Sequence, residues 1–210
     1  MLEQPLKFFV VFFVVVEPVS LIPLFSGLTT GATRAYKRRM ALQAVSIAAA
    51  ILLLFALGGA PFLALMGISV EAFRIFGGLL LFLLALEMVF ARESGARTSS
   101  DEQAESRRRA DISVFPLAFP FIAGPGALAT MLLWFSPLRF PAQTGLFGSY
   151  LLAMAVVLAV SLLLMLLADP LMRVIGVTGA NVASRLLGVI LGALAVQFVL
   201  DGLRQAFAGS

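Results

Sequence analysis

The chain has 210 residues, of which 61% are hydrophobic and 12% charged, and its mean hydropathy is +1.05. Soluble domains sit nearer roughly 45–50% apolar and about a quarter charged, so this is no water-soluble globule. It contains no histidine and no cysteine, which excludes imidazole relays, histidine metal sites, disulfides, thiolate nucleophiles and iron–sulfur clusters. The isoelectric point near 10.3 accompanies a net charge of +4. Loop lysines and arginines of a membrane protein explain that charge better than a nucleic-acid surface does.

The charges are bunched. Met40–Val70, Ile112–Leu138 and Phe140–Ala168 run for 31, 27 and 29 residues without one, where roughly 20 helical residues cross a bilayer. Six apolar segments follow in chain order: Pro5–Gly27, Met40–Leu63, Val70–Ala91, Ile112–Phe135, Leu146–Ala168 and Val182–Phe207. They are too long and too uniformly apolar for barrel strands, so the fold class is an all-α membrane protein of six transmembrane helices. The first is expected to be a retained span, since the chain starts Met1-Leu2-Glu3-Gln4 without a basic region or a cleavage pattern. The segment Arg92–Asp111 is rich in charge, serine and glycine, and is expected to be a cytoplasmic linker. It divides the chain into a first part, 1–91, and a second, 112–210.

Orientation follows from the basic residues. Arg34, Lys37, Arg38, Arg39, Arg92, Arg97, Arg107, Arg108, Arg109, Arg173 and Arg185 fall on one side, and Lys7, Arg74, Arg139 and Arg204 on the other. Positive residues stay inside, so both termini are expected outside, in a bacterial or archaeal plasma membrane.

The two parts repeat each other. Pro61, Gly67 and Ser69 recur as Pro170, Gly176 and Thr178, each 109 positions on. Arg74 and Gly77 recur as Arg185 and Gly188, 111 on, and the pair Pro18 and Pro23 as Pro120 and Pro125, 102 on. Three spans per part is an odd number, so the second repeat must be inverted relative to the first. Inverted repeats with interrupted helices are a hallmark of secondary transporters. Here the interruptions coincide: Glu17-Pro18-Val19-Ser20-Leu21-Ile22-Pro23 lies in span 1, and Pro116, Pro120, Gly124, Pro125 and Gly126 lie in span 4. Proline removes a backbone donor and clashes with the preceding turn. Both spans should therefore be broken near the midplane, where irregular backbone is tolerated only if it lines a cavity or is buried in protein.

The run Pro116-Leu-Ala-Phe-Pro-Phe-Ile-Ala-Gly-Pro-Gly-Ala-Leu-Ala-Thr130 resembles the signature of the MarC family, as does Arg185–Gly188 through Gln197–Gly202. The resemblance covers almost the whole chain and implies a carrier of small neutral amino acids such as glycine and alanine. In span 1, family members carry Asp-Pro-(Ile/Val)-Gly-Asn where this chain has Glu17-Pro18-Val19-Ser20-Leu21.

The polar residues of the spans then invite roles. Glu17 lies ten residues after Lys7, about 15 Å along a helix, and an ionisable group at that depth marks a pathway or relay. It is expected to couple transport to protons (sodium being the other ion considered), or to pair with a substrate ammonium. Pro18, Ser20, Pro23, Pro120, Gly124, Pro125, Gly126, Thr130 and Gln197 complete the expected substrate site. Within it the N–H groups of Gly124 and Gly126, at a half-helix start, suit a carboxylate. Ser20, Ser26, Thr29 and Thr130 could equally cap or glue helices. Arg74 and Arg185 are gating residues or interfacial snorkels, Asp169 caps a turn, and the 19 phenylalanines are expected mostly to face lipid. Small residues around Gly188 and Gly192 suit packing within the chain or between protomers of a homo-oligomer. No cofactor, metal or enzymatic dyad is expected, and no nucleic acid. The function expected is alternating-access transport of a small neutral amino acid; a passive channel or an exporter of another small solute or lipid is the alternative.

Overall fold

The computed structural model describes residues 3–90, 111–138 and 143–208, and all regular structure in them is helical. Most of the expected linker, and Arg139, lie outside the described residues. Among the described residues, five helices are long and apolar enough to cross a membrane, and a bent helix pair makes a sixth crossing if taken as one span.

Helix α1, Glu3–Val16, ends where Glu17 turns into the left-handed region at φ 53° and ψ 60°. The cause is local. Pro18 offers no N–H to the preceding turn, and its ring disfavours α backbone at the residue before it. A single 3₁₀ turn, Pro18–Ser20, leads into α2, Leu21–Leu28. Pro23 does not break the chain as expected: it sits in the first turn of α2, where its missing N–H would have no intrahelical acceptor.

Helix α3, Arg34–Leu65, is capped by Thr33, whose hydroxyl accepts the Tyr36 N–H at 3.3 Å. Its 32 residues reach about 48 Å, well past a hydrocarbon core of roughly 30 Å. After a turn at Gly67 (φ 67°), α4 runs Val70–Phe90.

The second part opens with the irregular segment Ser113–Ile122. Phe115 and Phe119, each preceding a proline, are extended there, as such residues prefer, and both of those Phe–Pro peptide bonds are cis. Helix α5, Pro125–Phe135, follows at a bend of 54°. Next come α6, Thr144–Leu166, and α7, Ala168–Ala208, which is interrupted at Gly176 (φ 64°, ψ 174°). Gly67 and Gly176, partners in the sequence repeat, thus share a positive φ, which favours glycine.

The largest helix interface joins α4 to α7, and glycines make it close. A methyl group built on Gly78 would stand 2.9 Å from the Ala195 carbonyl oxygen and 3.0 Å from the Val199 nitrogen. One on Gly188 would meet Met88 Cβ at 2.7 Å, and one on Gly202 the Glu71 carbonyl oxygen at 3.2 Å. Small residues that let backbones approach are how helices associate in lipid, where no hydrophobic driving force acts between them. Gly188 and Gly192 therefore pack within the chain; a methyl group on Gly192 would lie 3.6 Å from Ala85 Cβ, in ordinary contact. Elsewhere each part reaches across to the other. Helix α3 packs on Ser113–Ile122 and α5, while α6 packs on α1, the 3₁₀ turn and α2.

Two end faces are marked by contacts between helices. On one, the Lys37 ammonium from α3 grips both Asp169 carboxylate oxygens, at 2.7 and 2.9 Å, and Ser26 donates to the same carboxylate at 3.4 Å. Asp111 stands on this side too. The Ser113 hydroxyl and N–H, 2.6 and 2.9 Å away, hold its carboxyl below the usual carboxylate range, and the charge of Arg39 lowers it further. On the opposite face Tyr150 donates to Gln4 Oε1 at 3.2 Å. Asp169, expected only to finish a turn, instead joins α7 to α3.

Four phenylalanines, Phe8, Phe12, Phe25 and Phe135, are buried, while Phe62, Phe76, Phe82, Phe90, Phe119 and Phe207 are exposed. Phe8, Phe12 and Phe25 are among the largest fully buried side chains. Phe8 packs its ring 5.0 Å from Tyr150, 5.7 Å from Trp134 and 5.9 Å from Phe135. Edge-on and tilted rings gain from their quadrupoles as well as from area, so this cluster ties α1, α5 and α6 together beneath the Tyr150 face.

Candidate functional site

The second break and the last turn of α1 share a small cavity. The turn carrying Pro120, Gly124, Pro125 and Gly126 lines a cavity of about 20 Å³ with Val15 of α1 and Leu84 of α4. That is room for about one water. Gly124 is required there, because a methyl group on it would collide with the Pro120 carbonyl oxygen. Gly124 is also the N-cap of α5, so the N–H groups of the following turn point back toward the break without intrahelical acceptors.

Glu17, at the first break, is 2% exposed. Its carboxylate accepts the Ser20 hydroxyl at 2.5 Å, and Ser20 Oγ is 2.8 Å from Ser184 Oγ on α7. Ser20 has a single proton, and Glu17 takes it when ionised, so Ser184 donates to Ser20. A hydroxyl chain therefore runs from the break in span 1 to the helix that belongs to the other part of the sequence.

Other expected site residues are arranged differently. Thr130 is fully buried, but its hydroxyl donates to the Gly126 carbonyl at 2.8 Å, one turn back. Thr29 does the same to Phe25 at 2.7 Å. Such back-bonding satisfies a hydroxyl within its own helix. Pro18 is buried and Pro23 half-buried beside Glu17. Gln197 stands apart: it is exposed and donates to Asp201 at 2.8 Å, and it lies 13 residues beyond Ser184, about 20 Å along α7. Neither Arg74 nor Arg185 forms an ion pair among the described residues, where the inter-helix pair is Lys37–Asp169.

Contacts flank the first break on both sides along the chain. Before it, Phe8 packs on Phe135 and Tyr150; after it, Ser26 bonds to the Asp169 carboxylate that Lys37 holds. Ser184, Lys37 and the ring cluster do not stand out in the sequence as site or gate residues. Ser184 directly precedes the repeat arginine Arg185, the one local signal that could have drawn attention to it. No group of side chains suited to a metal ion occurs among the described residues.

Apolar spans, a doubly interrupted centre and polar clusters at both ends define a polytopic integral membrane protein. Residues 2–207 match the family described as MarC family integral membrane protein, and the chain belongs to that family. It is 35% identical over 203 residues to the UPF0056 membrane protein YhcE of Escherichia coli (strain K12), covering 97% of this chain and 93% of that one. It is 34% identical to YvbG of Bacillus subtilis (strain 168), covering 95% and 93%. It is 31% identical to MJ0972 of the archaeon Methanocaldococcus jannaschii, covering 93% and 84%. No solved structure matches the chain.

Proposed function

We propose that the chain is a secondary-active carrier of small neutral amino acids of the glycine and alanine type, working by alternating access with a proton as coupling ion. The observation that carries this reading is the buried Glu17 carboxylate at the break of span 1, bonded through Ser20 to Ser184. A carboxyl group in the interior of a membrane protein is expensive unless it has a task.

The reading takes the two parts as inverted repeats. The positive φ of both Gly67 and Gly176 and the reciprocal packing of α3 and α6 on the opposite breaks support it. Substrate carboxylate would bind at the start of α5, beside Gly124 and Gly126, where the helix dipole is positive. Substrate ammonium would approach Glu17. Protonation of Glu17 turns its carboxyl into a donor, which reverses the hydroxyl chain: Glu17 would donate to Ser20, and Ser20 to Ser184. Two protonation states thus favour two arrangements of α7 against the first break, the kind of bistable element that alternating access needs.

On this reading the present conformation is occluded. The Lys37–Asp169 pair is the latch on the cytoplasmic side and the aromatic cluster closes the outer side. Both termini lie outside, in the plasma membrane, following the positive residues. Radiolabelled alanine counterflow in proteoliposomes tests the carrier directly. Saturable exchange is expected; flux that rises linearly with alanine would mean a channel, and none at all would mean another substrate.

A further inference from the structure

A cavity larger than the one at the second break lies elsewhere. It opens at the Tyr150 face, has a volume of about 400 Å³, and is lined by Arg74, Trp134, Tyr150 and Asp201 among others. That volume is within the usual range of small-molecule pockets, about 300–1,000 Å³.

Its charges are arranged unusually. Three charged residues line it: Lys7, whose exposed ammonium is paired with Glu3 at 2.6 Å, and Arg74 on α4 and Asp201 on α7, which make no ion pair with each other. Their helices are locked at this level. A methyl group on Gly202 would stand 2.8 Å from Ile75 Cγ1 and 3.3 Å from the Ile75 nitrogen, so the backbones beside Asp201 and Arg74 are nearly in contact. Asp201 accepts from Gln197, while Arg74 Nε and Trp134 Nε1 are buried without an acceptor. A buried donor left without an acceptor is destabilising, and a cation and a carboxylate fixed in one cavity but not joined offer opposite charges to a third party.

We propose that this vestibule is a second binding site, which reads small zwitterions: Arg74 takes the carboxylate and Asp201 the ammonium. The guanidinium fork matches a carboxylate in shape as well as charge, and the Trp134 and Tyr150 rings can face the ammonium. Rigid placement by the α4–α7 glycines lowers the cost of ordering the site. The proposal deepens the transport reading and takes its probe, alanine, from it. The vestibule would select zwitterions before the aromatic cluster admits them to the break.

Trp134 is the only tryptophan in the chain, so its fluorescence reports on this wall alone. The experiment titrates the purified full chain in phosphatidylcholine nanodiscs with alanine, propionate or ethylamine. A saturable change with alanine at lower concentration than with either half-ligand is expected. Arg74→Gln should weaken alanine roughly tenfold, with Arg74→Lys in between, and Asp201→Asn should abolish the preference of alanine over propionate. If Arg74→Gln does not fold, Arg74→Lys and Asp201→Asn still decide. Equal responses to alanine and propionate in the wild type, or alanine binding untouched by these substitutions, would overturn the proposal. So would a signal that appears only when phosphatidylglycerol replaces phosphatidylcholine, because the site would then hold a lipid phosphate. Alanine counterflow without a Trp134 response sinks the vestibule and leaves the carrier standing; the response without counterflow does the reverse.

Discussion

Replacing Gly78 by alanine tests what holds the two parts together. The new methyl would meet the Ala195 carbonyl oxygen at 2.9 Å, the Val199 nitrogen at 3.0 Å and Val199 Cγ2 at 2.7 Å. Two of these neighbours are backbone, so no rotamer change relieves them, and α7 must shift as a body. Overpacking of this kind costs about 1–3 kcal/mol, while alanine in place of helical glycine returns up to about 1 kcal/mol. The net loss should be about 1–2 kcal/mol, or a fall in Tm of roughly 2–8 °C for a chain of this size. Gly58 is the control, because a methyl there meets nothing within 4 Å; Gly58→Ala should leave Tm unchanged or slightly raised. The assay is thermal unfolding of both variants in one detergent, followed by circular dichroism. If Gly78→Ala proves as stable as Gly58→Ala, the close α4–α7 contact is not what joins the parts, and the packing argument fails.

Gly124→Ala should lower both Tm and alanine exchange, because its methyl would press on the Pro120 carbonyl oxygen. Gly126→Ala, facing the movable tips of Leu81 and Val15 at 3.0 and 3.2 Å, should be milder; equal effects from the two would contradict this geometry. Breaking the Lys37–Asp169 pair with Lys37→Asp should cost stability little, at most about 1 kcal/mol for a partly exposed pair, but should open the face it latches. In a chain without cysteine, Ser26→Cys reports that opening cleanly: its labelling by a membrane-impermeant maleimide should rise about two- to fivefold with Lys37→Asp. Adding Asp169→Lys should restore protection, and labelling that ignores both changes would exclude the latch.

Much of this is legible in the sequence because it is local. Uncharged runs locate the spans, Pro18 interrupts span 1 within a residue of itself, and Pro116, Pro120 and Gly124 do the same in span 4. Even the repeat glycines Gly67 and Gly176 carry information, since a positive φ at equivalent places needs the same residue type. What escapes depends on partners far apart in the chain. Lys37 and Asp169 are 132 positions apart, and Ser20 and Ser184 are 164 apart; nothing in either neighbourhood announces the other. Which phenylalanines are buried escapes for a related reason. In lipid a ring on the outside and a ring in the core look alike in composition, and only packing separates buried Phe8 from exposed Phe76. For Thr130 the sequence leaves ligand and helix-capping roles open, and the structure adds its bond to Gly126 one turn back.

The most direct test of the central claim compares wild type with Glu17→Gln in proteoliposomes, measuring alanine exchange at equal pH and alanine accumulation under an imposed pH gradient. Glutamine keeps a hydrogen-bonding partner for Ser20 but cannot take up a proton. The variant should therefore retain saturable exchange and lose gradient-driven accumulation. Accumulation equal to that of the wild type would show that Glu17 is not the coupling group.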